Sequence, residues 1–169
     1  QINNETYLWR WLAHDIYSLN PIKFLQLDQA KTTTDVLRIA KNTGLSPFNL
    51  LAADKDGNTG WTIVGHMPKR GPIATERVVR WQDIDQTWMG WLAPDDYPEI
   101  TSKEQPRLWT ANNRIIGGAE LEKIGVAQYE LGTRGWLIEQ DLKKSERFTE
   151  PDMATMMGNN KAVLLESWQ

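Results

Sequence analysis

Phe48-Asn49-Leu50-Leu51-Ala52-Ala53-Asp54-Lys55-Asp56-Gly57-Asn58-Thr59-Gly60-Trp61-Thr62-Ile63-Val64-Gly65-His66-Met67-Pro68-Lys69-Arg70 reads as one strand, a tight turn and a returning strand. Phe48 to Ala53 is apolar apart from Asn49. Asp54 to Asn58 supplies residues that tolerate left-handed backbone and bond their own amides, which predicts a hairpin turn. Gly60 to Gly65 is the return. The same turn invites a calcium-loop reading. An EF-hand loop needs glycine at its sixth position and a bidentate Glu at its twelfth. Counted from Asp54, those positions hold Thr59 and Gly65, so turn chemistry is the better reading.

Working outward, Thr33-Thr34-Asp35 supplies a helix cap, Val36, Leu37, Ile39 and Ala40 continue it, and Gly44 closes it. Tyr7 to Leu12 predicts an entering strand, Asn20-Pro21 stops it, and Ile22, Leu25 and Gln29 sit near helical spacing. Downstream, Met67 to Ile84 reads as a loop with a short strand at Arg77 to Arg80. Pro94, Pro98 and Pro106 predict an irregular connection. Leu108 to Ala111 predicts a strand running into Asn112-Asn113. Leu131, Arg134, Ile138 and Leu142 give a helix within Tyr129 to Lys144, and Glu150-Pro151 opens a last helix. There is no repeat or low-complexity tract, and residues 1–169 read as a single region.

Composition narrows the function. The net charge is −3, and the basic residues form only isolated pairs such as Lys69-Arg70 and Lys143-Lys144, which argues against a nucleic-acid partner. No apolar run approaches the ~20 residues of a membrane span. With no cysteine, disulfides, thiolate chemistry and Cys-ligated zinc are excluded. His14 and His66 are the only histidines, too few for a His-based zinc site, and His66 is expected at a strand end as a structural residue. Asp83, Asp85, Asp95, Asp96 and Glu99 are read as solvated loop acids, because a glycosidase needs two carboxylates facing each other across a bond. Nine tryptophans are the compositional oddity. Most are expected in the core or at a subunit interface, with exposed platforms for a sugar as the alternative.

Three blocks then stand in order. The first is Ala53-Asp54-x-Asp56-Gly57-Asn58-x-Gly60-Trp61 with Gly65-His66-Met67-Pro68-Lys69-Arg70. The second is Trp88-x-Gly90. The third is Thr110-Ala111-Asn112-Asn113-Arg114. Together they resemble the penicillin acylase family of N-terminal-nucleophile amidohydrolases, which includes cephalosporin and acyl-homoserine-lactone acylases. The resemblance runs from about Trp9 to Met157.

That resemblance implies an α+β fold, part of a four-layer αββα sandwich with antiparallel sheets. It implies hydrolysis of a linear non-peptide amide through an acyl-enzyme on an N-terminal Ser. The chain begins at Gln1, so the nucleophile is expected upstream. The chain is then the central-to-rear part of a catalytic β-chain, inactive alone, with the α-chain and the front of the β-chain as partners. Asn112 maps to the oxyanion-hole amide, and Arg134, in Tyr129-x-x-Gly132-x-Arg134, to the arginine that organises the active-site polar network. No cofactor is required. The resemblance allows a structural calcium in the full enzyme, but the register of Glu120 and Glu122 departs from the pattern, and the metal reading stays open. Gly158-Asn159-Asn160 departs too, where an Asp would be more usual. Periplasmic or secreted location follows from the resemblance alone. The other readings are a Trp-rich, non-catalytic sugar- or ligand-binding module and an inactive structural relative.

Overall fold

The computed structural model describes residues 4, 6–15, 19–72, 78–126 and 129–168. The hairpin forms as expected. Strands β1 (Phe48–Ala53) and β2 (Thr59–Val64) pair antiparallel in register from Phe48 opposite Val64 to Ala53 opposite Thr59. Asp54 organises the turn. Its carboxylate accepts from the amides of Asp56 and Asn58 at 3.0 Å each and from the Asn58 side chain. It also accepts from the Thr33 amide at 3.2 Å. That amide opens helix α1 (Thr33–Ala40), so one side chain ties the turn to a helix terminus that would otherwise leave bare N–H groups. Thr32 is the N-cap proper and forms a reciprocal capping box with Asp35.

Helix α1 lies on β2 through Gly60. A Cβ added at Gly60 would stand 2.8 Å from a Leu37 methyl and 2.9 Å from a Thr33 methyl. Trp61, 1% exposed, is the central core side chain, and its indole N–H donates to Asn49 at 2.9 Å. Ile63, Met67, Tyr97, Leu121 and Ile124 complete that cluster. Tyr97 staples the exit of β2: its hydroxyl donates to the Gly65 carbonyl at 2.8 Å and accepts from the Met67 amide at 2.9 Å. Gly65 has φ +96°, and a Cβ there would stand 2.2 Å from the Leu45 carbonyl oxygen, so no other residue fits.

Three further strands were not foreseen. β3 (Pro68–Arg70) pairs with β4 (Trp88–Trp91), and β5 (Glu99–Thr101) adds to the free side of β2, giving the order β1-β2-β5. Each is three or four residues long, too short to show a period. Helix α2 (Gly118–Ile124) was also missed, because no side chain caps it after Gly117. Helices α3 (Thr133–Leu142) and α4 (Glu150–Met157) fall where expected, the latter with a Thr149/Asp152 capping box.

Other expectations fail. Tyr7 to Trp11 joins no sheet; Leu8 and Trp9 are exposed, and Leu12–His14 is a 3₁₀ turn. By contrast, the helical spacing of Ile22, Leu25 and Gln29 is met, by a 3₁₀ helix over Pro21–Gln29 with no side-chain cap. Arg77 lies outside the described residues, and Val78 to Arg80 forms no strand before a 3₁₀ turn at Trp81–Gln86. Leu108 to Ala111 forms no strand either. Side chains anchor it instead: Leu108 packs on the core, and the Arg107 guanidinium donates to the carbonyls of Leu142 and Ser145. The result is an α+β protein with antiparallel sheets. No helix among the described residues is long and apolar enough to cross a membrane.

Candidate functional site

Asn112 follows the anchored segment with φ +62°, a left-handed conformation that Asn tolerates better than most residues. Three contacts hold it there. Its carbonyl accepts from the Glu130 amide at 3.0 Å. Its side-chain Oδ1 accepts from Arg134 Nη2 at 3.0 Å, and the same nitrogen donates to the Ala111 carbonyl at 3.0 Å. Arginine has no acceptor, so the atom facing it must be the amide oxygen. The Asn112 Nδ2–H₂ group is therefore turned away from the guanidinium. Asn112 and Arg134 both line a large apolar cleft, and both are solvent-exposed at its rim.

Asn113 is engaged differently. Its Oδ1 accepts from the Ala111 amide and its Nδ2 donates to the Arg114 carbonyl, each at 3.0 Å. It also bridges in parallel to Glu130. The buried Gly135, one residue after Arg134, packs on that amide; a Cβ there would stand 2.6 Å from Asn113 Oδ1. This glycine was not singled out in the sequence. Glycine near a helix start is an ambiguous signal, and only the close approach gives it meaning.

Helix α3 begins after Leu131, which the helical spacing had included. Its buried positions are Gly135 and Asp141, while Leu137, Ile138 and Leu142 line the cleft. Asp141 accepts from Lys144 at 2.5 Å and from Asn159 at 2.7 Å. These bonds, Lys144 first and Asn159 second, hold its carboxyl below the usual range. Asn159, in the Gly158-Asn159-Asn160 stretch where the resemblance led to an expected Asp, donates to an acid instead.

The tryptophans were expected mostly in the core or at a subunit interface. Among those described with side chains, Trp61 is buried, Trp88 and Trp109 are half-buried, and Trp9, Trp11, Trp81, Trp91 and Trp136 are exposed. Trp9, Trp11, Trp81, Trp88 and Trp109 line the cleft that holds Asn112. Arg10 stacks on the Trp88 ring, its guanidinium carbon 4.3 Å from the ring centre. His66 follows β2 and packs on Trp91 at 5.6 Å between ring centres. Burial, then the charge of Lys23, lowers its pKa, against an opposing pull from Asp15.

Glu120 pairs with Lys123 at 2.7 Å, and Glu122 is exposed. Among the described residues no three His, Asp or Glu side chains gather to hold a metal ion. Glu120 and Glu122 therefore do not make a calcium site by themselves.

An arginine-oriented amide thus stands beside an apolar cleft in an antiparallel α+β body. The chain belongs to the penicillin amidase family, whose model matches residues 2–168. No curated protein and no solved structure matches it. Family membership supports an amidohydrolase class of protein.

Proposed function

We propose that this chain is part of the catalytic body of a penicillin-acylase-like enzyme that hydrolyses a linear, non-peptide amide. One observation carries the reading. A single Arg134 nitrogen bonds both the Ala111 carbonyl and Asn112 Oδ1, which turns the Asn112 N–H₂ away from the guanidinium in a residue that lines the apolar cleft. A pre-oriented N–H donor is what a tetrahedral acyl-transfer intermediate needs for its oxyanion, and one such donor supplies about 3–4 kcal/mol. Arg134 fixes the rotamer in advance, so the amide does not reorganise as charge develops.

The attacking group in this reading is an N-terminal Ser on another segment of the same precursor. Its α-amine, with an ordinary pKa near ~8, takes the hydroxyl proton as oxygen attacks the amide carbon. The protonated amine then returns that proton to the leaving nitrogen as the C–N bond breaks. Water adds to the acyl-enzyme and releases the acid. The two sheets would be part of a four-layer αββα sandwich, completed by the α-chain and the front of the β-chain. No cofactor enters the chemistry. A structural calcium in the assembled enzyme would need ligands beyond Glu120 and Glu122. Periplasmic or secreted location fits this reading.

The exposed Trp9 and Trp81 favour one second reading, a non-catalytic module that stacks sugars or aromatic ligands. A single experiment separates them. The purified full-length protein is incubated with penicillin G, a cephalosporin and N-acyl-homoserine lactones, and free amine is assayed. Turnover of at least one, lost in Asn112→Ala, supports the amidohydrolase. No turnover together with saturable quenching of tryptophan fluorescence by oligosaccharides overturns it.

A further inference from the structure

Arg70 closes β3 and is half-buried. Its Nη2 donates to the Ile124 carbonyl at 3.0 Å, across 54 residues of sequence. Ile124 ends α2, where carbonyls without intrahelical partners concentrate partial negative charge. The next residue, Gly125, has φ +101°, and a Cβ there would stand 2.8 Å from Arg70 Nη2. The guanidinium thus occupies space that only a glycine leaves open. The Gly125 carbonyl accepts from the Tyr129 hydroxyl at 3.0 Å. Burial raises the Tyr129 pKa, and the charges of Arg70 and then Arg114 pull it down. The residue after Tyr129 is Glu130, whose amide donates to the Asn112 carbonyl.

We propose that Arg70 is a positioning residue for the oxyanion donor: it clasps the end of α2, and through Gly125, Tyr129 and the Glu130 amide it holds the Asn112 backbone in its left-handed turn. This rests on the reading of Asn112 as that donor. Arg134 sets the Asn112 side chain from one side, while Arg70 sets the Asn112 main chain from the other. The guanidinium is suited to the task because its donors lie in a rigid planar fork, which a lysine ammonium on a flexible stem does not copy. Displacement of a catalytic group by about 1 Å costs roughly 10²-fold in rate, so a loosened clasp is expected to be visible in turnover.

The test uses the full-length protein and the amide from the panel above that it hydrolyses fastest. Arg70→Lys is expected to lower kcat by about 10- to 100-fold and to move KM by less than about 3-fold. The same substitution in an Asn112→Ala background is expected to cost less than about 2-fold, because its effect runs through Asn112. Hydrogen exchange at the Glu130 amide is expected to quicken in Arg70→Lys. Equal losses with and without Asn112, or unchanged exchange at Glu130, would overturn the proposal. If the Arg70 variant does not fold, Tyr129→Phe breaks the same chain at the Gly125 carbonyl, and an additive loss there overturns it equally. Should Asn112→Ala itself leave kcat intact, the oxyanion reading falls, while Glu130 exchange still decides whether Arg70 holds that turn.

Discussion

Two turns of this molecule use a short polar side chain to fix an irregular backbone, and they do so by opposite means. At Asp54 the carboxylate accepts from Asp56 and Asn58 within its own loop and from Thr33 at the start of α1. Its acceptor capacity is spent on structure, and its pKa is lowered to about 2, by the Asn58 side chain first and the Thr33 amide second. At Asn112 the polar side chain gives only its oxygen to structure, to an arginine 22 residues away. Its N–H₂ end is left facing away from that arginine. Distance along the chain does not separate the two turns, since Thr33 lies 21 residues from Asp54 and Arg134 lies 22 from Asn112. What separates them is the group left uncommitted: both Asp54 oxygens bond structure, whereas Asn112 keeps its N–H₂ donor in reserve.

Breaking the second turn should have the largest effect. On the proposed reading, Asn112→Ala in the full-length protein removes one oxyanion donor, and kcat should fall by roughly 10²–10³ with a smaller change in KM. Steady-state kinetics on both Asn variants sharpens the contrast. Asn113→Ala should cost less in turnover, because both ends of its amide already bond the backbone. Near-normal turnover in Asn112→Ala would remove the distinction between the turns.

Gly135→Ala comes next. Alanine favours the helix by about 1 kcal/mol over glycine. Against that, its Cβ meets the Asn113 amide at 2.6 Å, and the amide cannot retreat without releasing the Ala111 and Arg114 bonds. Overpacking of this kind costs about 1–3 kcal/mol, so the melting temperature should fall. Combining it with Asn113→Ala should recover part of the loss; strict additivity would show that the contact does not matter.

Asp54→Ala tests the structural turn. It should lower thermal stability at neutral pH and leave kcat unchanged. The folded carboxyl titrates below its ordinary 3.8, so its contribution is complete above that pH and fades as pH falls toward about 2. Melting curves of wild type and variant should therefore converge across that window. Curves that stay equally far apart from pH 7 to pH 2 would place the effect in packing, not charge.

The smallest effect is expected at His66. Its folded pKa is depressed below the ordinary 6.5, chiefly by burial and then by Lys23. The unfolded state therefore binds the proton more readily. The neutral imidazole's contribution is complete above pH 6.5 and is lost as pH falls below it. Denaturant titrations at pH 7.5 and 5.5 should show wild type losing stability on acidification, and His66→Gln losing less of it.

The Phe48–Val64 hairpin was legible because each of its signals is local. Two apolar runs and an Asp-Gly-Asn turn between them act within a few residues of one another. The 108–111 segment was read as a strand for the same local reason, and wrongly. Arg107 and Leu108 tie it to α3, the following residues and the core before any ladder can form. Tryptophan number was less informative: core or subunit interface was the expectation, and only Trp61 among those described with side chains is buried, because composition does not say which side faces a cleft.

The sequence by itself determined the hairpin, the starts of α1 and α4 to within a residue, the absence of thiol chemistry and, through its motif blocks, the family. It also named Asn112 and Arg134 as the pair to watch. Tertiary structure decided the rest: that one guanidinium nitrogen reaches two oxygens at once, that Gly135 and Gly125 make room for an amide and an arginine, and that β5 closes onto β2. The physical reason is distance along the chain. Capping and turn formation are settled among neighbours, where residue order is visible. A side chain's orientation at the site is settled by partners 22 to 54 residues away, and no spacing in the sequence records which of them will meet.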